Sequence, residues 1–248
     1  MADTKTPTLA VVTGASSGIG RATALALAKQ GRPLLLLARR ADRLAEVQAE
    51  IGAEVCEVAS VDVTDREAVA TAVEAAVAKH GPVDVLVNNA GVMKLGKVAS
   101  QDPAEWKLML DVNLMGLFNV THTVLPSMVE RNGGTIFNIS SIAGFKTFAN
   151  HAAYCATKFG VHGFTETLRE EVSGKNVRIS LVSPGAVSTE LLSHTTDEEI
   201  KAGYEAWKED IGGAIEAVNV ADCIAMIVSQ PQNVCIREIS LAATKQAP

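Results

Sequence analysis

Tyr154 and Lys158 stand four positions apart in a stretch of helical period, a spacing that puts both side chains on one face of a helix. A phenol titrates at about 10, and a nearby ammonium favours the phenolate, so the pair is a candidate for moving protons at working pH. The same spacing also describes an ordinary helix with one exposed lysine and one half-buried tyrosine. Context adds to it: an apolar run upstream ends in Asn138-Ile139-Ser140-Ser141, with Ser141 thirteen residues before Tyr154.

A second chemical signal lies near the start of the chain. Thr13-Gly14-Ala15-Ser16-Ser17-Gly18-Ile19-Gly20 follows the first apolar run and feeds directly into the helical segment Arg21–Gln30. Glycines let such a turn approach a ligand closely, while the amides and dipole of the following helix face phosphate groups. The spacing is GxxxGxG rather than the commoner GxGxxG, and a plain tight strand-to-helix connection would use the same residues. After the second apolar run, Leu34–Ala38, come Arg39 and Arg40 where an acidic residue would grip a ribose 2′-hydroxyl. Basic residues there suit a 2′-phosphate, so NADP is expected over NAD. The alternative is that both arginines cap a strand end and solvate the next helix. Asp62-Val63, after the third run, is placed to meet an adenine amino group, although Asp62 or Thr64 could equally cap a helix.

The elements that must position these groups alternate along the whole chain. Apolar runs at Leu9–Thr13, Leu34–Ala38, Val55–Val58, Val83–Asn88, Thr135–Ile139, Val177–Val182 and Val234–Leu241 read as strands. Helical periodicity occupies Ile19–Gln30, Ala41–Ile51, Arg66–His80, Pro103–Arg131, Tyr154–Lys175 and Val220–Ser229. Right-handed crossovers fold such a series into a doubly wound parallel sheet, with the ligand crevice at the strands' carboxyl ends. The chain reads as one α/β domain over residues 1–248, interrupted only by Ser188 to Glu216, a long insertion of the kind that forms a lid.

Taken in order, TGxxxGxG at 13–20, NNAG at 88–91, Asn113, Ser141, YxxxK at 154–158 and PGxVxT at 184–189 resemble the classical short-chain dehydrogenase/reductase family over essentially the whole chain. That resemblance implies a Rossmann-like fold with seven strands and NADP(H)-dependent interconversion of a carbonyl and an alcohol. Tyr154 would be the acid or base, and Lys158 would lower its pKa and bind the nicotinamide ribose. Ser141 would donate to the developing oxyanion. Asn113 would interrupt the Pro103–Arg131 helix and hold a water linking Lys158 to solvent, or it is a buried polar residue satisfied by backbone. Gly14, Ser16, Ser17, Gly18, Ile19 and Gly20 would take the phosphates, while Asn89, Ala90 and Gly91 would border the riboses. Pro184, Gly185, Val187 and Thr189 would support the nicotinamide. The C-terminus lacks the DGG ending of many members and is in this respect similar to the clavulanate and hydroxy-acid dehydrogenase branch. Family likeness also implies pairing of the long helices across two-fold axes, hence a homotetramer, or a dimer.

Composition narrows the rest. With 22 Lys and Arg against 28 Asp and Glu, the net charge is −6, and no basic stretch offers a footprint for nucleic acid. Four cysteines and five histidines show no metal-ligand or disulfide spacing, so no catalytic metal is expected and the thiols read as reduced. The start of the chain is polar and no apolar stretch approaches the roughly 20 residues of a bilayer span, so a cytoplasmic protein without membrane contact is expected. Cys155 reads as packing, and His151 as a solvated loop residue or a pocket residue. Pocket walls are expected from Met93–Leu95, Phe145–His151 and Val187–Trp207, a mixed set that names no single small-molecule substrate. Two alternatives stand beside the main reading: the same chemistry with NAD, and a non-catalytic nucleotide sensor, which would be expected to have lost Tyr154 or Lys158.

Overall fold

The computed structural model describes residues 8–247. In chain order its elements are β1 Leu9–Thr13, α1 Gly18–Lys29, β2 Leu34–Ala38, α2 Ala41–Ile51, β3 Cys56–Ser60, α3 Arg66–His80 and β4 Val83–Asn88. Then follow α4 Pro103–Leu110, a π-helical turn Asp111–Gly116, α5 Leu117–Glu130, β5 Gly134–Ile139, α6 Ala152–Glu171 and β6 Val177–Pro184. The last part holds β7 Val187–Ser188, α7 Glu198–Asp210, β8 Ile215–Glu216, α8 Ala217–Val228 and β9 Glu238–Leu241.

Seven strands form one parallel sheet in the order β3-β2-β1-β4-β5-β6-β9. β1, β2, β5 and β6 are buried at every position, which explains the near-continuous apolar runs of β1 and β2, while the buried polar residues Asn138, Arg178 and Ser180 of β5 and β6 are hydrogen-bonded inside. Side chains still divide by the two-residue period: Leu9 and Val11 pack with α3, α5 and α6 on one face, and Ala10 and Val12 with α1, α2 and α8 on the other. Because the strand order reverses between β1 and β4, their carboxyl ends flank the crevice of the fold.

Local chemistry sets the helix starts. Asp65 caps α3 through Ala68 N (3.0 Å), so the cap is neither Asp62 nor Thr64 as the sequence suggested. Asp102 caps α4 ahead of Pro103, and Asp197 caps α7 through Ile200 N (3.1 Å).

The single helix expected over Pro103–Arg131 is divided by the π-helical turn, in which Asn113 is buried. Contrary to the sequence reading, the Pro103–Glu130 stretch is long and apolar enough by composition to cross a membrane. It instead supplies Met109, Val120, Val124 and Met128 to the core beneath the sheet. The final strand is shorter than the apolar run, covering Glu238–Leu241. The insertion after β6 is more ordered than its composition suggested: β7 pairs with β8 and encloses α7.

Candidate active site

One large cavity of about 630 Å³ opens at the carboxyl ends of the strands. At one end lies the glycine-rich turn between β1 and α1. Gly14 has φ +63°, and a Cβ there would come within 2.9 Å of Ala90 Cα, so the turn and the β4 end are packed backbone to backbone. A Cβ on Gly20 would overlap the Gly14 carbonyl.

Thr13 Oγ1 accepts from Asn89 N and Ala90 N, both at 2.9 Å, and Asn89 Nδ2 donates to Thr13 O at 3.0 Å. Asn89 therefore braces the turn with its side chain while lining the cavity with Ala90 and Gly91. Asn88 points into the core, donating to Thr121 Oγ1 and Asn138 Oδ1 at 2.9 Å each.

Arg39 and Arg40 line the same end. Arg40 donates to Ser16 Oγ (3.1 Å) and Ser17 Oγ (2.7 Å) and pairs with Glu190 at 2.7 Å, so it ties the turn to the segment after β7. That ion pair holds the Glu190 carboxyl below the usual range. Ser16, Ser17, Gly18 and Ile19 also line the cavity, and a Cβ on Gly18 would sit 3.0 Å from the Thr189 methyl. Asp62 and Val63 lie on the wall. Asp62 Oδ1 is engaged by Thr64 N and Thr64 Oγ1 (2.9 and 2.8 Å), and Val63 O accepts from Asn119 Nδ2 (3.1 Å).

The other end gathers the proton-transfer candidates. Lys158, buried on α6, donates from Nζ to Ile139 O at 2.9 Å and lies 5.7 Å from the Tyr154 ring centre. Burial lowers its pKa to about 8. Tyr154 is also buried, and that burial pushes its phenol well above the ordinary value, with the Ser141 hydroxyl pulling the other way. The direction is opposite to the lowering expected from Lys158: burial dominates, with Tyr204 adding to it, and Tyr154 keeps its proton.

Ser141 Oγ accepts from Ala143 N at 3.1 Å, capping the short turn Ile142–Gly144 between β5 and α6. Neighbouring Ser140 turns inward toward Lys158 O (3.4 Å). Asn113 Oδ1 accepts from Val92 N (2.8 Å), and its Nδ2 donates to Val92 O (2.9 Å) and Thr157 Oγ1 (3.1 Å). Its amide is thus engaged by neighbours at both ends, the geometry of the buried, backbone-satisfied alternative.

Pro184, Gly185, Val187 and Thr189 line the wall opposite. The Thr189 hydroxyl caps the turn Glu190–His194 through Leu191 N (3.4 Å). Sequence reasoning missed Gln246, which accepts from Ala186 N at 3.0 Å and leaves its buried Nε2 without a partner beside the cavity. His194, Glu190, Tyr204 and Trp207 also line the cavity, and so does His151. His151 packs 6.4 Å from the Tyr154 ring and 6.1 Å from that of Tyr204, settling which of its two readings holds.

A parallel, doubly wound sheet with a glycine-lined turn and paired arginines at one end of its crevice, and a buried Tyr, Lys and Ser at the other, defines a nucleotide-binding α/β protein equipped for proton transfer. The family model described as short chain dehydrogenase matches residues 8–200, and the chain belongs to that family of oxidoreductases. An uncharacterized oxidoreductase of Staphylococcus saprophyticus is 37% identical over 239 residues, 96% of each chain. The closed form of a serine dehydrogenase complexed with NADP+ matches with TM-score 0.89 at 30% identity, covering 97% of this chain and 96% of that one. An actinorhodin polyketide ketoreductase variant with NADPH gives TM-score 0.86 at 31% identity over 96% of each chain. These likenesses establish the family and not the clavulanate or hydroxy-acid branch. The residues present fit a phosphate-bearing dinucleotide: Gly14, Ser16 to Ile19, Arg39 and Arg40 line one end of the cavity, and Gln246 offers a buried donor without a partner on its wall.

Proposed function

We propose that this oxidoreductase interconverts a carbonyl and an alcohol with NADP(H), using Tyr154 as proton donor and acceptor. The observation that carries the reading is the convergence of Tyr154, Ser141 and buried Lys158 at the end of the cavity opposite Arg39 and Arg40. The cofactor, when bound, supplies or accepts the hydride. Residues of the glycine-rich turn would hold its phosphates, Arg39 and Arg40 its 2′-phosphate, Asp62 and Val63 its adenine end, and Pro184 to Thr189 its nicotinamide end.

Ser141 holds the substrate oxygen, and Tyr154 delivers its proton there as negative charge develops. Burial keeps that proton in place at neutral pH, the protonation state from which carbonyl reduction starts. Lys158 balances the phenolate left behind and, with its pKa near about 8, loses that capacity as pH rises. The reductive kcat/KM is therefore expected to hold through neutral pH and fall above about 8. A pH profile measured at saturating NADPH checks the sign. The main chain around Asn113, loosened by the π-helical turn, is the place for a water serving Lys158.

The segment 188–216 serves as a lid over the substrate end, consistent with its contact through Glu190 and Thr189 with the phosphate turn. Leu110, Met115 and Phe159 are exposed on the long helices, which supports a homotetramer built on those faces and readable by sedimentation. The charge balance and the lack of basic runs support an enzyme that binds small molecules rather than nucleic acid. A spectrophotometric panel following NADPH oxidation with aldehydes, ketones, diketones and keto acids tests the reading. Turnover of at least one class supports it, and NADPH bound but never oxidised would leave the chain a nucleotide sensor.

A further inference from the structure

Aromatic residues are scarce in this chain, which has 6 Phe, 2 Tyr and 2 Trp in 248 residues. Both tyrosines, one tryptophan and Phe148 nevertheless meet on the cavity wall. Phe148 stands 5.6 Å from His151, His151 6.1 Å from Tyr204, and Tyr204 5.2 Å from Trp207, ring centre to ring centre. Two separate elements build this file. The loop before α6 supplies Phe148 and His151, and α7 supplies Tyr204 and Trp207 three positions apart on one helix face. Its inner end touches Tyr154, with His151 6.4 Å from the tyrosine ring.

The charges around the file argue for a neutral occupant. Lys208 Nζ already sits 6.0 Å from the Tyr204 ring centre, and Lys146 Nζ 5.8 Å from that of Phe148, so the protein's own ammoniums fill places where a cationic ligand would bind. His151 donates from Nδ1 to Ala149 O at 2.7 Å, and burial holds its pKa below the ordinary value, so it brings no positive charge for a carboxylate at neutral pH. Of the three lysines on the wall, Lys158 is the buried group beside Tyr154, Lys97 is exposed and Lys208 pairs with Glu205, while Glu199, the carboxylate that α7 adds to the wall, is exposed.

We infer that the carbonyl reduced here belongs to an uncharged aromatic or similarly flat ring compound, its ring lying along Phe148, Tyr204 and Trp207 while its oxygen reaches Tyr154 and Ser141. This rests on the proposed role of Tyr154 and adds the substrate class. Offset or edge-on ring contacts of this kind contribute beyond simple burial and discriminate against small or hydrated substrates.

The test is a comparison of acetophenone, propanal and a quaternary-ammonium aldehyde in NADPH oxidation, with L-serine oxidation followed in the presence of NADP+. Acetophenone is expected to give the highest kcat/KM, and Trp207→Ala should lower its kcat/KM about three- to tenfold more than that for propanal, with Trp207→Phe restoring most of the loss. Independently of turnover, acetophenone should quench the fluorescence of Trp106→Phe protein, in which Trp207 is the remaining tryptophan. Preference for propanal, the cationic aldehyde or serine would overturn the substrate class while leaving the oxidoreductase reading intact. Absence of quenching would overturn it as well. Failure of every carbonyl and alcohol to turn over, with NADPH bound, would instead remove the reading on which it rests.

Discussion

Two walls of the same cavity are built on opposite terms. The phosphate wall, from Thr13 to Gly20 with Asn89 to Gly91 behind it, is held by backbone contacts too close to admit a Cβ and by buried hydrogen bonds to Thr13. The facing wall, Glu190 to Glu216, is tied to the phosphate turn by one solvent-open ion pair, Arg40–Glu190, and is otherwise anchored through Leu192 and Ile200 in the core and Thr195 on Leu95 N, while Lys201–Glu198 and Lys208–Glu205 lie within α7 itself. The Arg40–Glu190 pair contributes about 0–1 kcal/mol, so that link between the two walls is cheap to break. One side is made to place a ligand and the other to let it in and out.

That contrast can be broken first at Gly14. Gly14→Ala would force a Cβ to within 2.9 Å of Ala90 Cα at a left-handed φ, and overpacking against backbone costs about 1–3 kcal/mol in addition to the left-handed strain. A clear fall in Tm together with loss of NADPH binding is expected. Calorimetry and fluorescence titration check both, and a normally stable, cofactor-competent variant would mean that the turn is softer than its contacts imply.

Arg39→Ala should act more locally. Loss of one charge-assisted contact to a 2′-phosphate, worth about 1.5–3 kcal/mol, raises the KM for NADPH tenfold or more and leaves NADH nearly unchanged. Equal weakening of both cofactors would assign the arginine to the fold.

Glu190→Gln should have the smallest effect and the opposite sign. Freed from its carboxylate partner, Arg40 can turn fully to the cofactor, so the KM for NADPH is expected to fall by up to about fivefold, the range of an exposed ion pair. A rise in KM would show that Glu190 steadies the site instead.

The same contrast explains what could be read in the sequence. Glycines that must lie against backbone, and a Tyr and Lys fixed four apart on one helix, leave contiguous spacings that survive without coordinates. The strand order followed because parallel strands with helical crossovers permit few arrangements. The lid wall was legible only as the broad ranges Phe145–His151 and Val187–Trp207, since His151 meets Tyr204 only through packing between α7 and the loop before α6, and Gln246 reaches Ala186 from beyond β9. Charge reasoning at Tyr154 failed for a related cause: the four-residue spacing reveals Lys158 as a neighbour, but the burial that raises the phenol's pKa comes from the assembled fold.

With the Ser141 hydroxyl beside it, the Tyr154 hydroxyl is the proposed proton source for carbonyl reduction. Tyr154→Phe keeps the ring and removes that group. NADPH affinity, read by fluorescence titration, should stay near the wild-type value while the single-turnover rate of carbonyl reduction falls by about 10²–10⁴. Near-normal reduction by the variant would contradict the account and place the proton source elsewhere.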